Sequence, residues 1–178
     1  METEINIVRV TAHDPEVLQK ISRQTFSETF APVNTRENMR KYLDENLSFK
    51  KLQAEIRDKN SLFHFAKMND KVINFLKVNF GACQTEIKDD KALEIERIYV
   101  MKEFHGKRVG QLLYQKALEV ASEANAWYLW LGVWEQNKRA INFYKKNGFV
   151  EFDEHTFILG NEKQTDILMK LNLKVTIP

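Results

Sequence analysis

Apolar and polar positions alternate with a changing period along the chain, and each change marks an element. INIVRV (residues 5–10) alternates with period two and predicts a strand. Asp14-Pro15 follows, an N-cap with proline at the first helical position, so a helix is expected from there to about Phe30. Thr35 is placed to cap a second helix, in which Met39, Tyr42, Leu43 and Leu47 recur at helical spacing. Ser48 is placed to cap a third, carrying Leu52 and Ile56. SLFHFAK (61–67) and KVINFLKVNF (71–80) read as the arms of a β-hairpin that turns at Asn69-Asp70, and QTEIKDDKA is a polar connection.

Residues 93–149 hold the densest pattern. LEIERIYV opens a strand over 93–101, in which Leu93, Ile95, Arg97 and Tyr99 are expected on one face and Glu94, Glu96, Ile98 and Val100 on the other. Two carboxylates on one face of an otherwise apolar strand are costly unless that face opens on a cleft, so Glu94 and Glu96 are expected to face one. Val109, Leu112, Leu113, Ala117, Val120, Ala121 and Ala124 recur three and four apart and predict a core-facing helical stripe. WYLWLGVW is apolar on both faces, as a covered central strand should be. A helix from Asn137 to Lys146 follows, with Gly148 ending it, and then two strands near 149–158 and 164–172.

Composition narrows the possibilities. With 178 residues, 43% of them hydrophobic, and no compositional break, one domain over 1–178 is expected. The formal charge of +2 is spread along the chain, leaving no electrostatic footprint for nucleic acid. Interspersed Asp and Glu likewise argue against a DNA-binding role for the helices at 35–59. A small-molecule partner is favoured. Cys83 is the only cysteine, which excludes an intrachain disulfide or a cysteine cluster for metal and reads as a spectator thiol in a reducing compartment. METEINIV lacks the features of a secretory leader, and the longest apolar run, 127–134, is too short to span a bilayer, so a cytoplasmic location without membrane contact is expected.

The loop 105–110, HGKRVG, bears the first chemistry. A turn feeding a helix leaves backbone N–H groups unpaired at the positive end of the macrodipole, which suits a phosphate or pyrophosphate. Gly106 and Gly110 let backbone approach a ligand closely, and Lys107 and Arg108 add charge. Asn137 and Tyr144, seven residues apart, lie on nearly one helical face, about 10 Å apart along the axis. That spacing admits two readings: an amide and a phenol along a ligand, or an N-cap with a core tyrosine.

The string IERIYV, HGKRVG, LWLGVW and N..AI.FYKK.GF, in that order and spacing, resembles the GNAT superfamily of acyl-CoA-dependent N-acetyltransferases. With SLFHFAK, VINFLKVN and G.EKQTDI.M.L added, the chain is similar over nearly its whole length to bacterial spermidine/spermine N-acetyltransferases of the PaiA type. The resemblance implies an α+β fold: a mixed, mostly antiparallel seven-stranded sheet flanked by helices, with a V-shaped splay between the two central strands. It implies acetyl-CoA in the splay as co-substrate, with no metal. The backbone of Ile98, Tyr99 and Val100 would pair with the cofactor arm, and His105, Gly106, Lys107, Arg108, Val109 and Gly110 would hold its pyrophosphate. Asn137 would hydrogen-bond the arm, and Tyr144 would stand by the sulfur. The family's loop usually has Gln or Arg, two residues, Gly, one residue, then Gly or Ala, where this chain has His105, Arg108 and Gly110. Arg108 thus occupies a position where a positive φ costs an L-residue about 1 kcal/mol or more.

An alkyl amine titrates near about 10, so it reaches the enzyme protonated and needs a base. Glu94 and Glu96 are the candidates, and Tyr144 is the candidate acid for the leaving thiolate. The expected acceptor is a primary amine, foremost a polyamine, for which Glu28, Glu37, Asp44 and Glu45 offer carboxylates on the N-terminal helices. A protein amine, another small amine, or a non-catalytic acyl-CoA-binding role remain alternatives, and monomer and homodimer are equally open.

Overall fold

A computed structural model describes residues 4–173, so the first three residues of METEINIV and the ends of the 1–178 span lie outside the described residues. In chain order the elements are β1 (Ile5–Arg9), α1 (Pro15–Phe30), α2 (Arg36–Asn46), α3 (Phe49–Arg57), β2 (Ser61–Met68), β3 (Lys71–Phe80), β4 (Ala92–Val100), α4 (Val109–Glu123), β5 (Tyr128–Trp134), α5 (Lys138–Lys146), β6 (Val150–Leu159) and β7 (Glu162–Asn172).

Local chemistry sets most of the boundaries. The Thr35 hydroxyl accepts the Asn38 N–H at 3.2 Å, and the Ser48 hydroxyl accepts the Lys51 N–H at 3.3 Å, so α2 and α3 start where their caps stand. Asp14 behaves differently. It occupies the cap position of α1, but its carboxylate turns back to accept the N–H and hydroxyl of Thr11 at 2.8 and 2.7 Å, and it closes the preceding turn instead. Asn69 and Asp70 both take positive φ (49° and 64°), the backbone that a two-residue hairpin turn requires. In α4 the predicted stripe is buried at Val109, Leu113, Ala117, Val120 and Ala121, whereas Leu112 is half-buried, Ala124 is exposed, and Tyr114 is buried in addition.

The strands form one seven-stranded sheet in the order β1-β2-β3-β4-β5-β7-β6, antiparallel throughout except for β4 beside β5. Tyr99 meets the rings of Phe26 and Phe30 of α1. Val100, pointing the other way, lies against Gly110 of α4. Helices therefore cover both faces, and Phe63, Phe65, Phe75 and Leu93 are among the side chains sealed between them.

Two irregularities in the middle of the sheet shape everything around them. The first is a bulge: Lys77 pairs with Arg97 and Val78 with Ile95, leaving Glu96 without a residue opposite. One extra residue inverts the alternation. Cross-strand partners share a face, so Glu94, Arg97 and Tyr99 follow Asn79, Lys77 and Phe75 on one side, and Leu93, Ile95, Ile98 and Val100 occupy the other. The second is a splay. β4 and β5 pair only at Ala92–Tyr128, Leu93–Leu129 and Glu94–Trp130, then run on separately to Val100 and Trp134. The mixed sheet and its V-shaped opening are the architecture that the resemblance implies.

Candidate active site

The splay opens into a cleft of about 570 Å³ between the ends of β4 and β5, the loop after β4, α5 and the last turns of α1. Ile98, Tyr99 and Val100 form one wall. His105, Gly106, Arg108, Val109 and Gly110 form the rim, and Asn137 and Tyr144 stand on the wall contributed by α5. Thus ten of the residues singled out in the sequence meet at one opening.

The rim is built as an anion cradle. A single 3-10 turn at Lys102–Phe104 ends β4, with the His105 N–H bonded to Lys102 O at 3.1 Å and the Lys107 N–H to Phe104 O at 3.3 Å. The N–H groups of Gly106, Arg108, Val109, Gly110 and Gln111 find no acceptor among the described residues. Five donors at the N-terminus of a fifteen-residue helix make a positive, preorganised pocket. Gly106 (φ 80°) supplies the left-handed backbone that turns the chain, and a Cβ there would meet nothing within 4 Å. Arg108 also has positive φ (61°), so the strain expected from its sequence position is present.

Three rim residues differ from expectation in what their side chains do. His105 places Nε2 2.8 Å from the Val100 carbonyl oxygen, and because a carbonyl only accepts, this nitrogen carries the proton. The imidazole clamps the loop to the end of β4. Lys107 is exposed and lies with Nζ 5.0 Å from the Phe104 ring centroid, outside the residues that line the cleft. Val109 is buried, its side chain turned inward, so only its amide serves the rim.

On α5, both readings of the Asn137/Tyr144 pair hold at once. Asn137 Oδ1 caps the helix by accepting the Ala140 N–H at 3.2 Å, and the residue also lines the cleft. Tyr144 is only 7% exposed, edge-on to Phe143 and Phe149, and burial pushes its phenol well above the ordinary range. Its hydroxyl has no hydrogen-bond partner among the described residues, which leaves a protonated donor facing the cleft. Glu28, Trp134, Arg139 and Phe143 also line the opening and were not singled out as cleft residues from the sequence. Arg139 and Phe143 stand four residues apart, one helical turn, but two and six residues from Asn137, so the Asn137–Tyr144 spacing did not point to them.

Glu94 and Glu96 require correction. Neither lines the cleft, because the bulge turns Glu94 to the face of Asn79 and Trp130. There Glu94 is 2% exposed and accepts three hydrogen bonds, from the Thr85 N–H (2.9 Å), the Thr85 hydroxyl (2.5 Å) and Asn79 Nδ2 (2.9 Å). Burial, and secondly the neighbouring Glu96, push its carboxyl up. Glu96 is tied to Lys77 at 2.6 Å and Arg97 at 3.0 Å. Burial works against its ionisation, but those two cations outweigh it and hold the carboxyl near about 2. A carboxylate so held is a weak proton acceptor. The N-terminal carboxylates do not converge either: Asp44 pairs with Arg23 at 2.6 Å, and Glu28 accepts the Lys102 N–H at 2.9 Å at the cleft edge.

Cys83 is a free, half-buried thiol, which burial and then Asp58 push up. No group of three or more His, Cys, Asp or Glu that could hold a metal ion occurs among the described residues, and no helix among them is long and apolar enough to cross a membrane.

Parallel central strands that separate after three residue pairs, beside a helix whose first amides are free, give the α+β class of fold that the resemblance to the acyl-CoA-dependent N-acetyltransferases implies. The chain belongs to the acetyltransferase (GNAT) family, whose sequence profile matches residues 20–149. It is 41% identical over 168 residues to an uncharacterized N-acetyltransferase of Lactobacillus delbrueckii subsp. lactis, covering 94% of this chain and 97% of that one. It is 27% identical over 149 residues to a spermidine N(1)-acetyltransferase of Thermoplasma acidophilum, covering 82% and 88%. The crystal structure of the PaiA N-acetyltransferase of Thermoplasma acidophilum in complex with coenzyme A shares the fold with a TM-score of 0.79 at 24% identity, over 96% of this chain and 99% of that one. The chain is accordingly an acetyl-CoA-dependent amine N-acetyltransferase.

Proposed function

We propose that this single-domain protein is a PaiA-type enzyme that acetylates a primary amine of a polyamine, such as spermidine or spermine, by direct attack in a ternary complex. The observation that carries the cofactor half is the set of five unpaired amides at the splay. Orphan donors at the positive end of α4 fit a pyrophosphate, and no other group of the described residues satisfies them. The amides of Gly106, Arg108, Val109 and Gly110, with the Arg108 guanidinium beside them, would hold the diphosphate of acetyl-CoA. The free edge of β4 at Ile98, Tyr99 and Val100 would take the arm as an added strand, with Asn137 alongside. When bound, acetyl-CoA supplies the acetyl group as an activated thioester.

The chain's own residues do the rest. Tyr144 keeps its proton throughout the neutral range and offers it from Oη into the cleft. Phe143, Trp134 and the Ile98 side give that end of the cleft apolar walls, which restrict water near the hydroxyl. The polyamine preference is supported by the spermidine acetyltransferase and PaiA similarities.

A thiol-release assay with acetyl-CoA and a panel of amines tests the reading. Spermidine and spermine should turn over at least tenfold more efficiently than short monoamines or a lysine peptide. Preference for the peptide would move the acceptor to proteins, and binding of acetyl-CoA without transfer to any amine would remove the enzymatic reading.

A further inference from the structure

The face of the splay away from α4 carries a carboxylate that the preceding mechanism leaves unused. Gly132 lies in the middle of β5, a central strand, and yet it is exposed. β4 no longer pairs with β5 at that height, so the strand that would cover this stretch has departed. Trp134 is the cross-strand partner of Asp166 on β7, and Gly132 of Leu168, so Trp134 and Asp166 project on one face beside the gap. A Cβ added at Gly132 would sit 3.5 Å from Asp166 Oδ2 and 3.4 Å from Leu168 Cδ2. Glycine thus leaves that side of the carboxylate uncovered, and Trp134 links it to the cleft that it also lines.

Asp166 differs from its acidic neighbours on this face. Glu94 has three donors, Glu96 has two cations, and Glu86 pairs with His155 Nδ1 at 2.7 Å. Asp166 is half-buried, and no hydrogen bond or ion pair reaches its carboxylate from the described residues. The titratable groups turned toward it are His155 from β6, Tyr99 from β4 and Tyr42 from α2. Burial pushes its pKa up to about 6, with His155 opposing that rise. An unpaired carboxylate held partly out of water is costly, and a cation is the group that relieves the cost. The surroundings suit an alkyl ammonium: Trp134, Phe30, Phe157 and Tyr42 form a chain of ring contacts at 5.5, 6.2 and 5.7 Å.

Resting on the amine acetyltransferase reading above, we propose that Asp166 receives the ammonium group of the acceptor, which enters past Gly132, and fixes it beside Trp134 at the splay. Asp166 is then the residue that selects a cationic alkyl amine, with the aromatic rings taking its methylene chain.

Asp166→Asn preserves shape while removing charge. Spermine binding in the absence of acetyl-CoA, followed by calorimetry, should weaken at least tenfold, and kcat/KM for the amine should fall by a similar factor. Acetyl-CoA affinity should stay within twofold, and the thermal midpoint at pH 7 should not fall. Gly132→Ala, which crowds the same carboxylate without removing it, should raise the amine KM several-fold with acetyl-CoA affinity intact. An Asp166→Asn enzyme with the wild-type amine affinity and KM would overturn this assignment alone. A wild type that acetylates no amine would instead overturn the function on which it rests.

Discussion

Glu96 Oε2 lies 2.6 Å from Lys77 Nζ, at the bulge where β4 gains its extra residue. Arg97 and Glu55 complete the cluster: Arg97 is 3.0 Å from Glu96, and Lys77 is 3.0 Å from Glu55 of α3. The bulge thereby places two cations and two carboxylates under one helix; Glu55 also reaches Arg97, at 3.8 Å, and Glu96 holds both cations at the shorter distances.

Removing the charge of Glu96 should therefore destabilise the fold. In Glu96→Gln, Lys77 and Arg97 remain buried with Glu55 alone, and breaking such a cluster costs about 3 kcal/mol, or roughly a 10 °C fall in thermal midpoint. Its pKa is depressed to about 2 from 4.5, so its contribution is present above pH 4.5 and is lost as pH falls toward 2. Thermal scans of both proteins at pH 7 and pH 3 check this, and the difference between them should narrow at the lower pH.

Tyr144→Phe should lower turnover tenfold or more while leaving acetyl-CoA affinity within twofold, because the ring's packing against Phe143 and Phe149 survives and only the hydroxyl is lost. Single-turnover kinetics with the preferred amine give the measurement. Equal rates would take the phenol out of the mechanism.

Arg108 carries opposing effects at one position. Its φ of 61° costs about 1 kcal/mol for an L-residue, so Arg108→Gly relieves strain, although part of the gain is offset by the added freedom of the unfolded chain. The thermal midpoint should rise by no more than about 2 °C. On the proposed binding of the diphosphate, the KM for acetyl-CoA should rise several-fold and become less sensitive to salt, because no guanidinium would remain to meet a phosphate.

These residues also show what was legible in the sequence. Caps at Thr35 and Ser48, the Asn69-Asp70 turn, the loop 105–110 and the α5 pair all follow from local rules, and local rules hold where neighbours in sequence decide the structure. The faces of β4 were not legible. A period-two pattern assumes an unbroken ladder, and the bulge at Glu96 depends on pairing with β3, which IERIYV alone does not encode. Asp14 does hold the N-cap position with Pro15 after it, but its carboxylate does not cap the helix, since Thr11 competes for it. Asp166 gave no signal at all, because its lack of partners arises from Gly132 and the departure of β4, both distant in sequence.

The β6–β7 hairpin is fastened to α2 through Gly160. Its φ is +62°, a Cβ there would lie 2.0 Å from Asn38 Oδ1 and 2.7 Å from Asn38 Cβ, and Asn38 Oδ1 accepts the Asn161 N–H at 3.2 Å. Gly160→Ala combines backbone strain with a collision that a rotamer change of Asn38 alone does not clear. A loss of about 2 kcal/mol is expected in urea unfolding, with the amine and acetyl-CoA KM values unchanged.

His64 on β2 makes the protein sensitive to mild acid. It is 8% exposed, Nδ1 has no partner, and burial first, then Arg9 and Lys116, lower its pKa to about 4. Because the folded value lies below the unfolded 6.5, the unfolded chain binds the proton first as pH falls. The stability that neutral His64 allows is present above pH 6.5 and declines down to about pH 4, by about 2 kcal/mol at pH 5. Asp166 runs the other way: its raised pKa means that its charge costs stability above about pH 6, and protonation relieves that cost on acidification. The slope between pH 7 and pH 5 thus sets His64 against the carboxyls of Asp166 and Glu94, both of which burial pushes up. His64→Leu removes the first of these, so the urea midpoint of that variant should hold steady or rise from pH 7 to pH 5, whereas that of Asp166→Asn should fall more steeply than the wild type.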